Sequence, residues 1–127
     1  MKYRILIVDD SPLLRATARR AVLQAGASPE RVREAQNGRE ALDLLAKEPA
    51  DIVLLDINMP IMDGFQFVEE KARIPALAGI KVALVTTEGN KKRLERMAQL
   101  GVDHYLRKPF EPEELRSLVN SLFQGGR

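Results

Sequence analysis

DIVLLDINMPIMDG, Asp51 to Gly64, decides the reading of this chain. Its first half, DIVLLD (Asp51 to Asp56), is an unbroken aliphatic run bracketed by acids. A strand with water on one face alternates apolar and polar residues. A continuous run implies cover on both faces, as in the centre of a parallel sheet. The second half is a turn: Asn58, Pro60, Asp63 and Gly64 all favour turns, and Gly64 lets a helix start close to the loop. The helix is expected near Phe65 to Ala72, with Pro75 marking its end. The strand therefore delivers the Asp56 carboxylate to the carboxyl edge of a sheet.

The same unit recurs on both sides. RILIV (Arg4 to Val8) reads as a buried strand ending at Asp9-Asp10. Ser11 then caps a helix with Pro12 in its first turn, and that helix stops at Gly26. Ser28 to Ala35 holds a weaker strand. Gly38 opens a helix whose Ala41, Leu42 and Leu45 share a face, closed by Pro49. KVALVTT (Lys81 to Thr87) is the fourth strand, KKRLERMAQL the fourth helix, ending at Gly101, and Asp103 to Arg107 the fifth strand. Pro112 opens a last helix with Leu115, Leu118, Val119 and Leu122 in one stripe. Five strands alternating with five helices predict an α/β, doubly wound (βα)5 parallel sheet with helices on both faces. The order expected is the flavodoxin-like 2-1-3-4-5, which would place strands 1 and 3 side by side with a ligand site at the switch point between them. We expect one domain over residues 1–124 and a frayed tail at 125–127.

In that order the strand tips converge. They carry Asp9 and Asp10, Asp56, Thr86 with Thr87, and Lys108. Three close carboxylates repel one another, and a hard divalent cation such as Mg2+ relieves the repulsion. Lys108 adds positive charge and Thr86 a hydroxyl donor. This is what phosphoryl transfer requires: positioning and charge neutralisation. No Ser or Cys stands with a base, so the nucleophile is a carboxylate. Taken singly, each residue has an ordinary explanation: Asp9 and Asp10 as helix caps, Asp56 as a turn residue, Lys108 as a surface lysine, Thr86 as a strand former, Tyr105 as a packed aromatic. The sole histidine, His104, reads as a strand residue.

VDDS (Val8 to Ser11), LLDINMPIMDG (Leu54 to Gly64), LVTTE (Leu84 to Glu88) and YLRKPF (Tyr105 to Phe110) together resemble the receiver domain of two-component response regulators, most closely the single-domain chemotaxis regulators. The resemblance covers essentially the whole chain. It implies Asp56 as phosphoacceptor. Asp9, Asp10, Asp56 and the backbone carbonyl of Asn58 would hold Mg2+, which Mn2+ can replace. Thr86 and Lys108 would stabilise the phosphoryl group, Thr86 and Tyr105 would form the switch, and Asn58 and Glu88 would tune phosphoryl lifetime. The bond before Pro109 would be cis. The implied donor is a histidine kinase or a small molecule such as acetyl phosphate. The implied output is a partner such as a flagellar motor switch component, with a phosphatase as a possible third partner. Such a protein catalyses its own phosphorylation and slow dephosphorylation and is not a turnover enzyme. Thr87 departs from the pattern, since many relatives carry Ala there.

Composition narrows the alternatives. With no Cys, disulfides and thiolate metal sites are excluded. Lys+Arg number 20 against 18 Asp+Glu. That near balance, with only Lys91, Lys92, Arg93 and Arg96 clustered, argues against direct nucleic-acid binding. The amino-terminal apolar run is too short for a signal peptide or a span, so the chain reads as cytoplasmic without membrane insertion. A monomer is expected. A flavin carrier of this fold needs a Ser/Thr/Gly-rich phosphate loop where DDSPLL stands. An aspartyl-phosphate hydrolase commonly keeps an Asp where Asn58 stands. A receiver domain excised from a larger regulator, and a phosphorelay protein outside chemotaxis, both stay open.

Overall fold

Residues 3–124 are described by the computed structural model; the expected frayed tail at 125–127 lies outside them. The elements are β1 (Ile5–Val8), α1 (Pro12–Gln24), β2 (Val32–Ala35), α2 (Gly38–Lys47), β3 (Ile52–Leu55), α3 (Gly64–Ala72), β4 (Lys81–Thr86), α4 (Lys91–Gln99), β5 (His104–Arg107) and α5 (Pro112–Gln124). All five strands are parallel, in the order β2-β1-β3-β4-β5. The order predicted from the sequence is the order found.

Alternate residues of each strand serve two cores. Ile5, Ile7, Ile52, Leu54, Ala83 and Val85 pack on one face against α1 and α5. Leu6, Val8, Val53, Leu55, Val82 and Leu84 pack on the other against α2, α3 and α4. This two-sided cover explains why β1 and β3 read as unbroken apolar runs. Phe67 of α3 is wholly buried, and truncating such a side chain typically costs about 3–5 kcal/mol.

Helix starts follow the local chemistry. Ser11 Oγ accepts from Leu14 N–H at 3.2 Å, with Pro12 in the first turn. Asn37 caps α2 and Asn90 caps α4 through their side-chain oxygens. Asp63 and Gln66 form a reciprocal capping box at α3, each accepting from the other's backbone N–H at 2.9 Å. We read Asp63 from sequence only as a turn former; its spacing to Gln66 is the signal that marks the cap.

Two boundaries differ from expectation. The second strand begins at Val32, because Pro29 to Arg31 form a 3-10 turn. Pro75 does not end α3, which stops at Ala72; it opens another 3-10 turn, Pro75–Leu77. In both places proline sits at the start of a turn, where its missing N–H leaves no helical acceptor unmatched.

Candidate functional site

The register sets the site. β1 and β3 are adjacent with Val8 opposite Leu55, so the residues that follow them, Asp9 and Asp56, emerge side by side. Asp56 N–H donates to Val8 O at 2.9 Å and Asp9 N–H to Ala35 O at 3.1 Å, extending the ladder one step beyond the strands. Carboxylate oxygens of Asp9, Asp10 and Asp56 all lie within 4.8 Å of one another. Asp9 and Asp56 are buried and Asp10 is exposed.

Each buried carboxylate has defined partners. Asp9 Oδ1 accepts from Ser11 N–H at 2.9 Å, and its Oδ2 accepts from Lys108 Nζ at 2.7 Å. Asp56 Oδ1 accepts from Ile57 N–H at 2.8 Å. Lys108 Nζ stands 3.6 Å from Asp56 Oδ2. The Lys108 side chain is 12 % exposed and the two carboxylate side chains 8 %, so water screens these charges poorly. Burial pushes the Asp56 carboxyl above its ordinary range; the Thr86 hydroxyl, the Lys108 ammonium and the Ile57 N–H oppose that shift, and Asp9 adds to it. Three carboxylates facing one ammonium leave negative charge unbalanced. The donor set is all oxygen and anionic, which fits a hard divalent cation and suits neither a thiolate nor an imidazole metal.

Thr86, at the end of β4, is wholly buried, and its Oγ1 accepts from Glu88 N–H at 3.2 Å. Tyr105 of β5 is 40 % exposed, and its hydroxyl donates to Glu88 O at 2.7 Å. Both residues therefore attach to the backbone of one residue, Glu88. The Glu88 side chain is held in turn by Arg93 Nε at 3.2 Å and by Asn90 N–H at 3.1 Å. Arg93 also lies over the Phe65 ring, 4.6 Å from its centroid. Asn58 and Thr87 are exposed. The Lys108–Pro109 bond is cis. His104 approaches Asp103, at 3.4 Å, on the far strand, away from the acidic cluster.

The loop after β3 holds a strained residue. Ile61 has φ 69° and is 80 % exposed, and Met62 N–H donates to Pro60 O at 2.7 Å, a γ-turn centred on Ile61. A β-branched residue in this region is disfavoured by about 1–3 kcal/mol. The position was not apparent from sequence, because nothing in IMDG demands a left-handed isoleucine.

Residues 5–120 match the family model described as the response regulator receiver domain. The chain belongs to this family. It is 39 % identical over 126 residues to response regulator MprA of Mycolicibacterium vanbaalenii, covering 98 % of this chain and 52 % of that one. It thus spans about half the length of that relative. It is 32 % identical over 124 residues to a chemotaxis protein CheY homolog of Campylobacter jejuni, covering 97 % of this chain and 94 % of that protein. Among solved structures, chemotaxis protein CheY4 of Vibrio cholerae superposes with a TM-score of 0.84 at 30 % identity, covering 96 % of this chain and 99 % of that one. The receiver fold is close to that of the chemotaxis regulators. No helix among the described residues is long and apolar enough to cross a membrane.

Proposed function

We propose that this chain is a phosphorylation-activated signalling switch in which Asp56 accepts the phosphoryl group. The observation that carries the reading is the gathering of Asp9, Asp10 and Asp56 within 4.8 Å with Lys108 bridging two of them. An Asp56 carboxylate oxygen attacks phosphorus, and the bond from phosphorus to the donor breaks with its electron pair leaving on the donor. The product is a mixed carboxylic–phosphoric anhydride. Water later hydrolyses it to carboxylate and inorganic phosphate. Mg2+, or Mn2+, held by Asp9, Asp10, Asp56 and the Asn58 carbonyl, supplies charge neutralisation when bound. Lys108, now on Asp9, is placed to turn toward the arriving phosphoryl oxygens, and the Thr86 hydroxyl donates to them. Catalysis here is positioning and electrostatics acting on the protein's own side chain.

The switch follows from Glu88. A phosphoryl group that accepts from the Thr86 hydroxyl draws Oγ1 toward itself and stretches the bond that Oγ1 accepts from Glu88 N–H. The same residue's carbonyl anchors Tyr105 outside. Loosening that loop frees the ring to move inward and changes the face formed by α4, β5 and α5, with Lys91 to Arg96 at its edge. A gap of a few kcal/mol between the two states is small enough for one modification to reverse. Glu88 and Asn58 flank the site and would set phosphoryl lifetime. The partners of this reading are a cytoplasmic histidine kinase, an output protein with an acidic docking patch such as a flagellar motor switch component, and a phosphatase. The chain acts as a monomeric receiver over residues 1–124 that does not itself bind nucleic acid.

A second reading is a receiver that regulates an attached output domain; the coverage of only 52 % of response regulator MprA favours it. Acetyl phosphate with Mg2+ should add the mass of one phosphoryl group to wild type and none to D56N, with peptide mapping placing it on Asp56. A group mapped to Thr86 or Ser11 would defeat the proposal. A phosphorylation-dependent pull-down with a motor switch protein separates the stand-alone from the attached reading.

A further inference from the structure

Asp10 is exposed, and among the described residues no hydrogen bond or ion pair reaches its side chain. Its aim is therefore set by its backbone. The peptide joining Asp9 to Asp10 lies beyond the end of β1, where its carbonyl has no strand partner. That carbonyl accepts from Arg15 Nη1 at 2.7 Å. Arg15 sits in the first turns of α1 and is only 14 % exposed. Its Nε donates to Glu34 Oε1 of β2 at 3.1 Å. The other Glu34 oxygen faces Arg19 Nη1 at 3.5 Å, and Arg19 is itself tied to Val32 O and Pro29 O. The guanidinium is thus braced between an anchored carboxylate and the one peptide that carries both acids.

We propose that Arg15 is a positioning residue for the acidic pair, clamping the Asp9–Asp10 peptide so that both carboxylates converge with Asp56. The inference rests on the metal reading of that cluster given above. Two physical effects of Arg15 on a bound cation have opposite signs. As a charge, it repels the cation, so removing it should tighten binding. As a clamp, it pre-orders the ligands, so removing it should weaken binding. Outer groups that orient metal ligands typically contribute about 10- to 100-fold in affinity. Lysine keeps the charge and can reach one acceptor, but it lacks the planar fork that spans carbonyl and carboxylate together.

The test is Mg2+ titration by calorimetry of metal-free wild type, R15A, R15K and E34Q, each checked by circular dichroism and urea unfolding. The expected result is weakening of about 10- to 100-fold in both R15A and R15K, and a smaller loss in E34Q, which leaves Arg15 in place without its charged anchor. In 1H–15N spectra the Asp10 amide should shift in all three variants before metal is added. Wild-type binding with unchanged or tighter binding in R15A and R15K overturns the clamp and leaves the metal reading standing. Absence of Mg2+ binding by wild type overturns the metal reading and the clamp with it. If the Arg15 variants fail to fold, E34Q decides, and unchanged Mg2+ affinity there overturns the proposal.

Discussion

Replacing Gly64 with alanine should disturb the phosphoacceptor more than its distance along the chain suggests. Gly64 begins α3, and its N–H donates to Ile57 O at 2.8 Å. A Cβ there would lie 2.6 Å from Asp56 O, 2.7 Å from Ile57 Cα and 3.3 Å from the Asp56 carbonyl carbon. All three are backbone atoms, so no rotamer change relieves the overlap. Ordinary contact begins at 3.4 Å, which leaves a deficit of about 0.8 Å to be absorbed by the peptide that carries Asp56. Overpacking of this kind costs about 1–3 kcal/mol. A displacement near 1 Å at a reacting group can slow a reaction by about 100-fold. G64A should therefore lose about 2 kcal/mol in urea unfolding and react with acetyl phosphate about 10- to 100-fold more slowly by intact-mass time course. Gly79 is the internal control: a Cβ there meets nothing within 4 Å, so G79A should be neutral or more stable by up to about 1 kcal/mol. A G64A protein as stable as wild type and phosphorylated at the wild-type rate would refute the close-approach argument.

Because burial raises the folded-state pKa of Asp56, the native protein holds a proton there where the unfolded chain has released it. Without metal, that contribution favours folding below the unfolded pKa and is lost as pH rises through the folded one. D56N should thus gain stability relative to wild type as pH rises through that window, and a difference flat across an acid-to-neutral urea series would contradict this. K108A removes the ammonium bonded to Asp9 and leaves the acids unpaired; it should lose about 3 kcal/mol in metal-free buffer and recover part of that on adding Mg2+, whereas wild-type stability in both buffers would refute the pairing. I61G relieves the positive φ and should raise the unfolding free energy by about 1 kcal/mol, read as a higher urea midpoint at constant slope. Y105F deletes the bond to Glu88 O at a cost of about 1 kcal/mol or less, and its ring resonances should show a larger inward population; unchanged ring shifts would argue against the hydroxyl as anchor.

The sequence alone determined the alternation of strands and helices, the two-sided burial of β1 and β3, and the carboxyl-edge placement of Asp9, Asp10, Asp56, Thr86 and Lys108. Each of these rests on local periodicity or on a strand end, and both are properties of a short window of chain. Strand order is not a property of any short window: short right-handed connections narrow it to a few topologies, and the tertiary structure selects β2-β1-β3-β4-β5 among them. Tertiary structure alone decided which partner each side chain took. Lys108 lies 99 positions from Asp9, yet its ammonium bonds Asp9 and stands farther from Asp56. Arg15 and Glu34 meet across 19 positions, and no local pattern marks either as belonging to the acidic site. Glu88 was legible as a motif residue, and its bond to Thr86 is a local turn of two residues, but its link to Tyr105 spans 17 positions and depends on how β4 and β5 pair. Residue types and spacing set where a carboxylate emerges. Its partner is set by packing between distant elements, where differences of an ångström decide whether a charge is neutralised.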